Sequence, residues 1–220
     1  MIKHISFKHG WWYFYRIHEP KTAELTTNYP SLKKYLYDMF TDCPHDYFHV
    51  EPRSSKLRFN LKDVNLKHID KHEVTELTKQ GHIQNANRYQ SAHSRVQLFM
   101  LENDNNTLAI EVPLWLHAEE LEGYEKLFGT NNPLTGHIDA LRIEDGKIWI
   151  WDYKPNARLE KFASTQVFFY AYMLSKRTGI PLEHFRCGYF DAKNTYVFNP
   201  NQCSLSFKEQ ETLENFQKPF

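Results

Sequence analysis

The segment 136–154 carries two aspartates, Asp139 and Asp152, and a lysine, Lys154, within two runs of apolar residues. Asp145-Gly146 stands between the runs and is a strong hairpin signal, because a type I′ turn needs positive φ at both central residues. If these two residues form the turn, Asp139 lies directly across from Asp152 on the neighbouring strand. The sequence therefore predicts two opposed carboxylates at one end of a hairpin.

Side chains alternate along a strand, so Asp152 and Lys154 share one face, which Asp139 joins. Opposed carboxylates repel one another, and a divalent cation with oxygen ligands, Mg²⁺ or Mn²⁺, would neutralise them. Lys154 would then stand beside an attacking water or a developing phosphorane oxygen. The alternative is that the aspartates are polar strand ends bridged by Lys154, and a loop of another length would shift the register by one residue.

Four motifs occur in order, and they are Glu111-Val112-Pro113, Gly136-His137-Ile138-Asp139, Asp152-Tyr153-Lys154 and Gln166-Val167-Phe168-Phe169-Tyr170. In this order they resemble the PD-(D/E)XK nuclease superfamily, most closely its RecB-like branch, which includes nuclease domains of recombination helicases and the CRISPR-adaptation exonucleases. The resemblance covers residues 93–170, and the predicted strand order extends it to about residue 198. It implies an α/β fold with a restriction-endonuclease-like core, a mixed β-sheet flanked by helices.

The resemblance also implies a role for each matching residue. Asp139 and Asp152 would bind the metal, and the backbone carbonyl of Tyr153 would add another oxygen ligand. Lys154 would position or stabilise the nucleophilic water. Glu111, on the first core strand, would be catalytic and bind the metal directly or through water.

Further roles come from two helices. Gln166 and Tyr170 are four residues apart, so they face the same way and would line the DNA path; alternatively Tyr170 is a core residue and Gln166 its hydrogen-bond partner. The branch places a metal-binding histidine on a helix ahead of the sheet. His93 is the best candidate for it, and His82 is the competitor.

The expected function is a Mg²⁺- or Mn²⁺-dependent DNA nuclease that hydrolyses phosphodiester bonds, as an exonuclease on single-stranded DNA or DNA ends. A structure-specific or restriction-type endonuclease and a non-catalytic DNA-binding protein that retains the fold are the alternatives. The three cysteines are spaced differently from the cysteines that hold an iron–sulfur cluster in the CRISPR-associated members. No such cluster is therefore expected. The chain contains no GxxxxGK[ST] loop, so no ATP use is expected; a homo-oligomer and a helicase or recombination partner are possible.

The N-terminal residues 1–65 are interpreted as an aromatic, partly basic α+β elaboration, followed by the nuclease core over residues 66–220. Its first elements are a predicted hairpin over residues 5–17 and a helix over residues 31–40 with Ser31 as N-cap. The aromatic residues of the hairpin, Trp11, Trp12 and Tyr13, are expected in the core, with stacking on unpaired bases as the alternative.

The core is predicted to contain a helical region over residues 64–101, broken near Gly81, and then strands, a long helix and two more strands. The strands are predicted at 107–116, 136–144, 147–154, 185–190 and 195–198, and the helices at 159–176 and 206–216. This mixed order of helices and strands indicates an α/β protein.

The composition narrows the class of protein. Lys and Arg number 27 and Asp and Glu also 27, which excludes a uniformly basic nucleic-acid coat, and 41% hydrophobic residues exclude a disordered tail. No apolar run reaches the length of a membrane span and no signal peptide is evident, so a cytoplasmic protein is expected.

Cys43, Cys187 and Cys203 are predicted to be unpaired thiols. His68 and His72 have helical spacing for zinc but no third ligand nearby.

Overall fold

The protein forms one eight-stranded sheet with helices on both faces in a computed structural model, described for residues 1–205. The predicted helix over residues 206–216 lies outside the described residues. The strands are β1 (Ile2–Lys8), β2 (Trp12–His18), β3 (Lys67–His68), β4 (Thr107–Leu116), β5 (Leu134–Glu144), β6 (Lys147–Tyr153), β7 (Phe185–Phe190) and β8 (Thr195–Phe198). The helices are α1 (Glu19–Leu25), α2 (Pro30–Asp38), α3 (Glu73–Gln84), α4 (Ala92–Asn103), α5 (Tyr124–Phe128) and α6 (Ala163–Thr178).

The strand order is β1-β2-β4-β5-β6-β7-β8-β3. Strands β6 and β7 are parallel, and the other pairs are antiparallel. Parallel neighbours need a long crossover, which α6 supplies here. This mixed sheet between helices confirms the predicted α/β class with a restriction-endonuclease-like core.

The hairpin of β5 and β6 has the predicted register. Ala140 pairs with Trp151 and Glu144 with Lys147, so the turn is Asp145-Gly146, whose φ angles are 49° and 66°. Both central residues are therefore in the left-handed region that a type I′ turn requires. Asp139 and Asp152 are the next residues of the two strands beyond the Ala140–Trp151 pair.

The N-terminal hairpin of β1 and β2 extends the same sheet, because β2 pairs with β4 through Arg16 and Ile110. The expectation that its tryptophans are core residues is wrong. Trp11 is 75% exposed and Trp12 is 54% exposed, because β2 pairs with β4 only at Arg16 and Ile17 and the part of the hairpin that carries the tryptophans is not paired with β4. The division of the chain at residue 65 remains a prediction.

Three predicted helix boundaries are corrected. Helix α2 begins at Pro30 with Tyr29 as N-cap instead of Ser31, because the fixed φ of proline suits the first helical position. Gly81 lies inside α3, where a Cβ would come within 3.0 Å of the Arg95 carbonyl oxygen. This glycine allows α3 and α4 to pack closely. The predicted break in the helical region lies instead at residues 85–91, between α3 and α4. Helix α6 begins at Ala163, four residues later than predicted.

Two apolar clusters fill the space on either side of the sheet. The larger cluster contains the inner face of α6, including Val167 and Phe169, and the smaller contains Val96 and Met100 of α4. The three cysteines are free, as predicted. None of the helices between residues 1 and 205 has the length and apolar character needed to cross a bilayer.

A buried arginine joins α3, α4 and β5. Arg142 is fully buried, with its Nε 2.8 Å from Asp104 Oδ2 and one terminal nitrogen 3.4 Å from Glu144 Oε2. Glu73 accepts a hydrogen bond from the other terminal nitrogen. Asp104 is buried as well, so the two opposite charges compensate each other in a region that water does not reach.

Replacing Asp104 with alanine is expected to destabilise the protein by about 3 kcal/mol or more, because the buried guanidinium loses its most deeply buried partner. Guanidinium-induced unfolding measures the change. Asp38→Ala is the control, since it breaks an exposed ion pair with Lys34 on the surface of α2 and should leave stability unchanged. Equal unfolding midpoints for the two variants would contradict this role of the Asp104–Arg142 pair.

Candidate active site

Three carboxylates meet where β4, β5 and β6 lie side by side. Asp139 and Asp152 directly follow the last paired residues of the β5–β6 hairpin. Glu111 of β4 lies opposite Asp139, between the pairs Ile110–Ala140 and Val112–Ile138. The side-chain amide of Gln97 on α4 donates to both Glu111 Oε1, at 2.6 Å, and Asp139 Oδ1, at 3.1 Å. One donor thus ties two acidic side chains together.

Glu111 has an unusual backbone for a strand residue, with φ at 54°. A left-handed conformation costs a non-glycine residue roughly 1–2 kcal/mol. It also interrupts the alternation of the strand: Ile110 packs in the α4 cluster, whereas Val112, two residues later, packs in the α6 cluster. Strained backbone that is retained in the middle of a sheet is typical of functional sites.

Asp152 belongs to a second hydrogen-bonded group. Its Oδ2 lies 2.7 Å from Lys154 Nζ, and this ammonium donates to Gln166 Oε1 at 2.8 Å. The amide nitrogen of Gln166 donates to Asp152 Oδ1 at 3.3 Å and to the Tyr170 hydroxyl at 2.7 Å. The predicted pairing of Gln166 with Tyr170 is therefore present, and it is connected to Asp152 and Lys154.

Burial and mutual repulsion both raise the pKa values of Glu111 and Asp139. Burial, and then the charge of Asp139, raise the pKa of Glu111, while burial, and then Asp152, raise that of Asp139. For Lys154, burial opposes the charge, but the neighbouring carboxylate of Asp152 outweighs it and raises the pKa of the ammonium. One lysine does not balance three acids, so the group favours an additional cation.

The two candidate histidines have different partners. His93 Nε2 lies 3.8 Å from Asp139 Oδ2, whereas His82 Nε2 forms a 3.0 Å hydrogen bond with the Tyr153 hydroxyl. The backbone N–H of Tyr153 donates to Asp139 Oδ2 at 2.8 Å. His93 is thus the histidine beside the carboxylates, and His82 supports the tyrosine ring.

The carboxylates lie in a cavity of about 760 Å³. Tyr170 closes part of its floor, and Gly136 makes this possible, because a Cβ at Gly136 would lie 2.4 Å from Tyr170 Cε1. Trp12 and Arg16 of the N-terminal hairpin also line the cavity. Glycine at position 136 therefore has a packing role beside the acids.

The donor set fits a hard divalent cation. Glu111, Asp139 and Asp152 supply carboxylate oxygens, the ligands that Mg²⁺ and Mn²⁺ prefer. Within residues 1–205, Asp152 Oδ2 has no hydrogen-bond donor apart from the Lys154 ammonium that lies against it. The site thus combines three acidic side chains with a buried carboxylate oxygen whose neighbouring donor is the Lys154 ammonium.

A family model described as the PD-(D/E)XK nuclease superfamily matches residues 53–218, more than half of the chain. The chain belongs to the PD-(D/E)XK nuclease superfamily. No curated protein and no solved structure shows a significant match to it. Nucleases of this superfamily generally use divalent metals such as Mg²⁺, and membership supports a metal-dependent nuclease, a hydrolase with a nucleic-acid substrate.

In this chain the predicted site residues are close in space, although their chemical roles remain predictions. The structure brings together Glu111, Asp139, Asp152, Tyr153, Lys154, His93, Gln166 and Tyr170. It does not support the zinc pair on a helix, because His68 lies in β3 and His72 is the N-cap of α3.

Two polar residues of the site did not emerge from the motifs. Gln97 is four residues after His93 on α4, the same spacing that drew attention to Gln166 and Tyr170, so this signal was available. Arg16 enters the cavity only because β2 pairs with β4, and no local pattern indicates that pairing.

Gln97→Leu is expected to weaken Mn²⁺ binding by about 10- to 100-fold, because Glu111 and Asp139 lose the amide that orients both of them. Calorimetric titration with Mn²⁺ measures the affinity. Gln84→Leu, at an exposed position of α3, is the matched control and should bind Mn²⁺ like the wild type. Unchanged affinity in Gln97→Leu would show that the amide does not position the acids.

Proposed function

We propose that the protein is a metal-dependent deoxyribonuclease that acts as an exonuclease on single-stranded DNA or DNA ends. The observation that carries the proposal is the meeting of Glu111, Asp139 and Asp152 with Lys154 at the base of one cavity. Mg²⁺ or Mn²⁺ is the proposed cofactor, without an iron–sulfur cluster. A cytoplasmic location stays a prediction.

Each residue of the site has a proposed task. Asp139 and Asp152, with Glu111, the Tyr153 carbonyl and His93, would hold the cation, which when bound supplies an activated water and offsets charge on the scissile phosphate. Lys154 lies next to Asp152, so its ammonium is placed to stabilise negative charge that develops on the phosphate oxygens. Gln166 holds Lys154 in place by accepting its hydrogen bond.

The aromatic hairpin supports unpaired bases as the substrate. Trp11, Trp12 and Phe14 are at least half exposed and line the cavity that contains the acids. Exposed aromatic faces stack on bases, and each stacked base contributes about 1–3 kcal/mol. Bases inside a duplex are covered by their neighbours, so such a surface favours single strands and ends.

Positive charge near the acids supports a polyanionic substrate. Arg16 follows the exposed aromatic residues on β2, lines the cavity, and has no ion-pair partner among residues 1–205. Its charge and that of Lys154 line the same cavity as the carboxylates, where a phosphate backbone would bind. Phosphate contacts of this kind supply affinity without base specificity.

The proposal predicts that purified protein degrades end-labelled linear DNA with Mg²⁺ or Mn²⁺ and not with EDTA. Asp152→Asn should abolish cleavage, and Lys154→Met should reduce it by about 100- to 1,000-fold, because charge stabilisation in the transition state is lost. Circular dichroism should show that Asp152→Asn keeps the wild-type fold, so that the loss of cleavage reports on the site.

Asp145→Asn is the control for this experiment, because it changes an aspartate to asparagine at the far end of the same hairpin and keeps the turn. It should cleave DNA like the wild type. Circular single-stranded and circular duplex DNA should be spared; cleavage of circles would make the protein an endonuclease. DNA binding without any cleavage, equal in wild type and Asp152→Asn, would instead favour the non-catalytic protein.

Trp11→Ala and Trp12→Ala are each expected to weaken binding of a single-stranded oligonucleotide by about tenfold, in accord with the loss of one stacked base. Fluorescence anisotropy in the Asp152→Asn background measures binding without cleavage. Leu159→Ala removes a similarly exposed apolar side chain elsewhere and should have no effect. Equal losses for blunt duplex and single strand would argue against stacking on unpaired bases.

A further inference from the structure

A second group of metal-binding side chains lies outside the carboxylate site. His9, which follows β1 directly, approaches Cys43 and His45 of the segment after α2, and the three potential ligand atoms all lie within 4.8 Å of one another. His9 and Cys43 are buried, while His45 is exposed. The group joins two segments more than thirty residues apart in the sequence.

Both ring nitrogens of His9 contact another histidine. Its Nδ1 lies 2.8 Å from Nε2 of the buried His137, and its Nε2 lies 2.9 Å from His45 Nδ1. When Nδ1 of His9 donates to His137, the lone pair of Nε2 points at the group with Cys43 and His45. In this tautomer Nε2 of His9 is able to bind a metal, and His137 takes the place of the second-sphere acceptor that metal-binding histidines have.

The thiol of Cys43 is the second independent observation. Cys187 Sγ donates to the Val167 carbonyl and Cys203 Sγ to the Asn199 carbonyl. Cys43 is 7% exposed and, within the described part of the chain, has no hydrogen-bond partner for its sulfur. Cys43 belongs to the larger apolar cluster, and its sulfur also lies within 4.8 Å of a ring nitrogen of each of the two histidines, a position from which it can share an ion with them.

We propose that His9, Cys43 and His45 bind a zinc ion, with water in the fourth position on the exposed side of His45. Two nitrogens and a sulfur are the ligand set that Zn²⁺ accepts in tetrahedral geometry. Nitrogen ligands of such an ion stand about 3.3 Å apart, so the two imidazoles must separate by a few tenths of an ångström. The exposed position of His45 permits that movement.

The zinc ion would hold the aromatic hairpin in place. His9 and Trp11 lie in the turn between β1 and β2, and Tyr13 stacks on His137 with ring centroids 3.7 Å apart. A link from His9 to residues 43–45 therefore fixes the hairpin beside the cavity. This inference does not depend on the nuclease activity.

Metal content and Co²⁺ spectroscopy of the full chain test the proposal. The experiments use the Asp152→Asn background, so that binding at the carboxylates is weakened. Protein stripped of metal should take up about one Zn²⁺ per chain, and Co²⁺ should give the intense absorption of thiolate-to-cobalt charge transfer. Cys43→Ser should abolish that absorption, and His45→Ala should lower Zn²⁺ affinity at least about tenfold.

His4→Ala, an exposed histidine of β1, and Cys203→Ser are the matched controls and should bind Zn²⁺ like the parent protein. His45→Ala changes an exposed side chain, so circular dichroism should show an unaltered fold. Absence of Zn²⁺ uptake by the parent protein would overturn the proposal. Uptake that persists unchanged in both Cys43→Ser and His45→Ala would overturn it as well, by placing the ion elsewhere.

Discussion

Repulsion among three carboxylates, one buried and two partly buried, is the constraint around which the centre of this sheet is arranged. Glu111, Asp139 and Asp152 come together because adjacent strands place them there, and burial raises the pKa values of Glu111 and Asp139. Each neighbour offsets part of the charge: the Gln97 amide holds two acids, and the Lys154 ammonium contacts the third. The remaining negative charge is what makes the group a site for a divalent cation.

Much of the fold was predictable from local sequence, because its decisive elements have local causes. Asp145-Gly146 specifies a two-residue turn, and that turn alone sets the register which brings Asp139 and Asp152 to one end of the hairpin. The motifs then predicted the positions of Glu111 and Lys154. These features depend on residues close together in the chain, so sequence patterns record them.

The features that escaped prediction depend on packing between distant segments. Gln97 reaches Glu111 only because α4 lies across β4 and β5, and Arg16 reaches the cavity only because β2 joins β4. An aromatic composition favours burial, yet Trp11 and Trp12 are exposed because β4 pairs with β2 only at Arg16 and Ile17. The positive φ of Glu111 likewise has no signal in a residue type that rarely adopts it.

The two proposed metal sites are chemically distinct although β5 connects them. His137 contacts His9 of the nitrogen and sulfur group, and Asp139, two residues later, belongs to the oxygen group. A thiolate and imidazoles favour Zn²⁺, whereas carboxylates suit Mg²⁺ and Mn²⁺, so each set of ligands discriminates against the ion of the other. The same strand can therefore support the ion that positions the aromatic hairpin and the ion that serves the nuclease reaction.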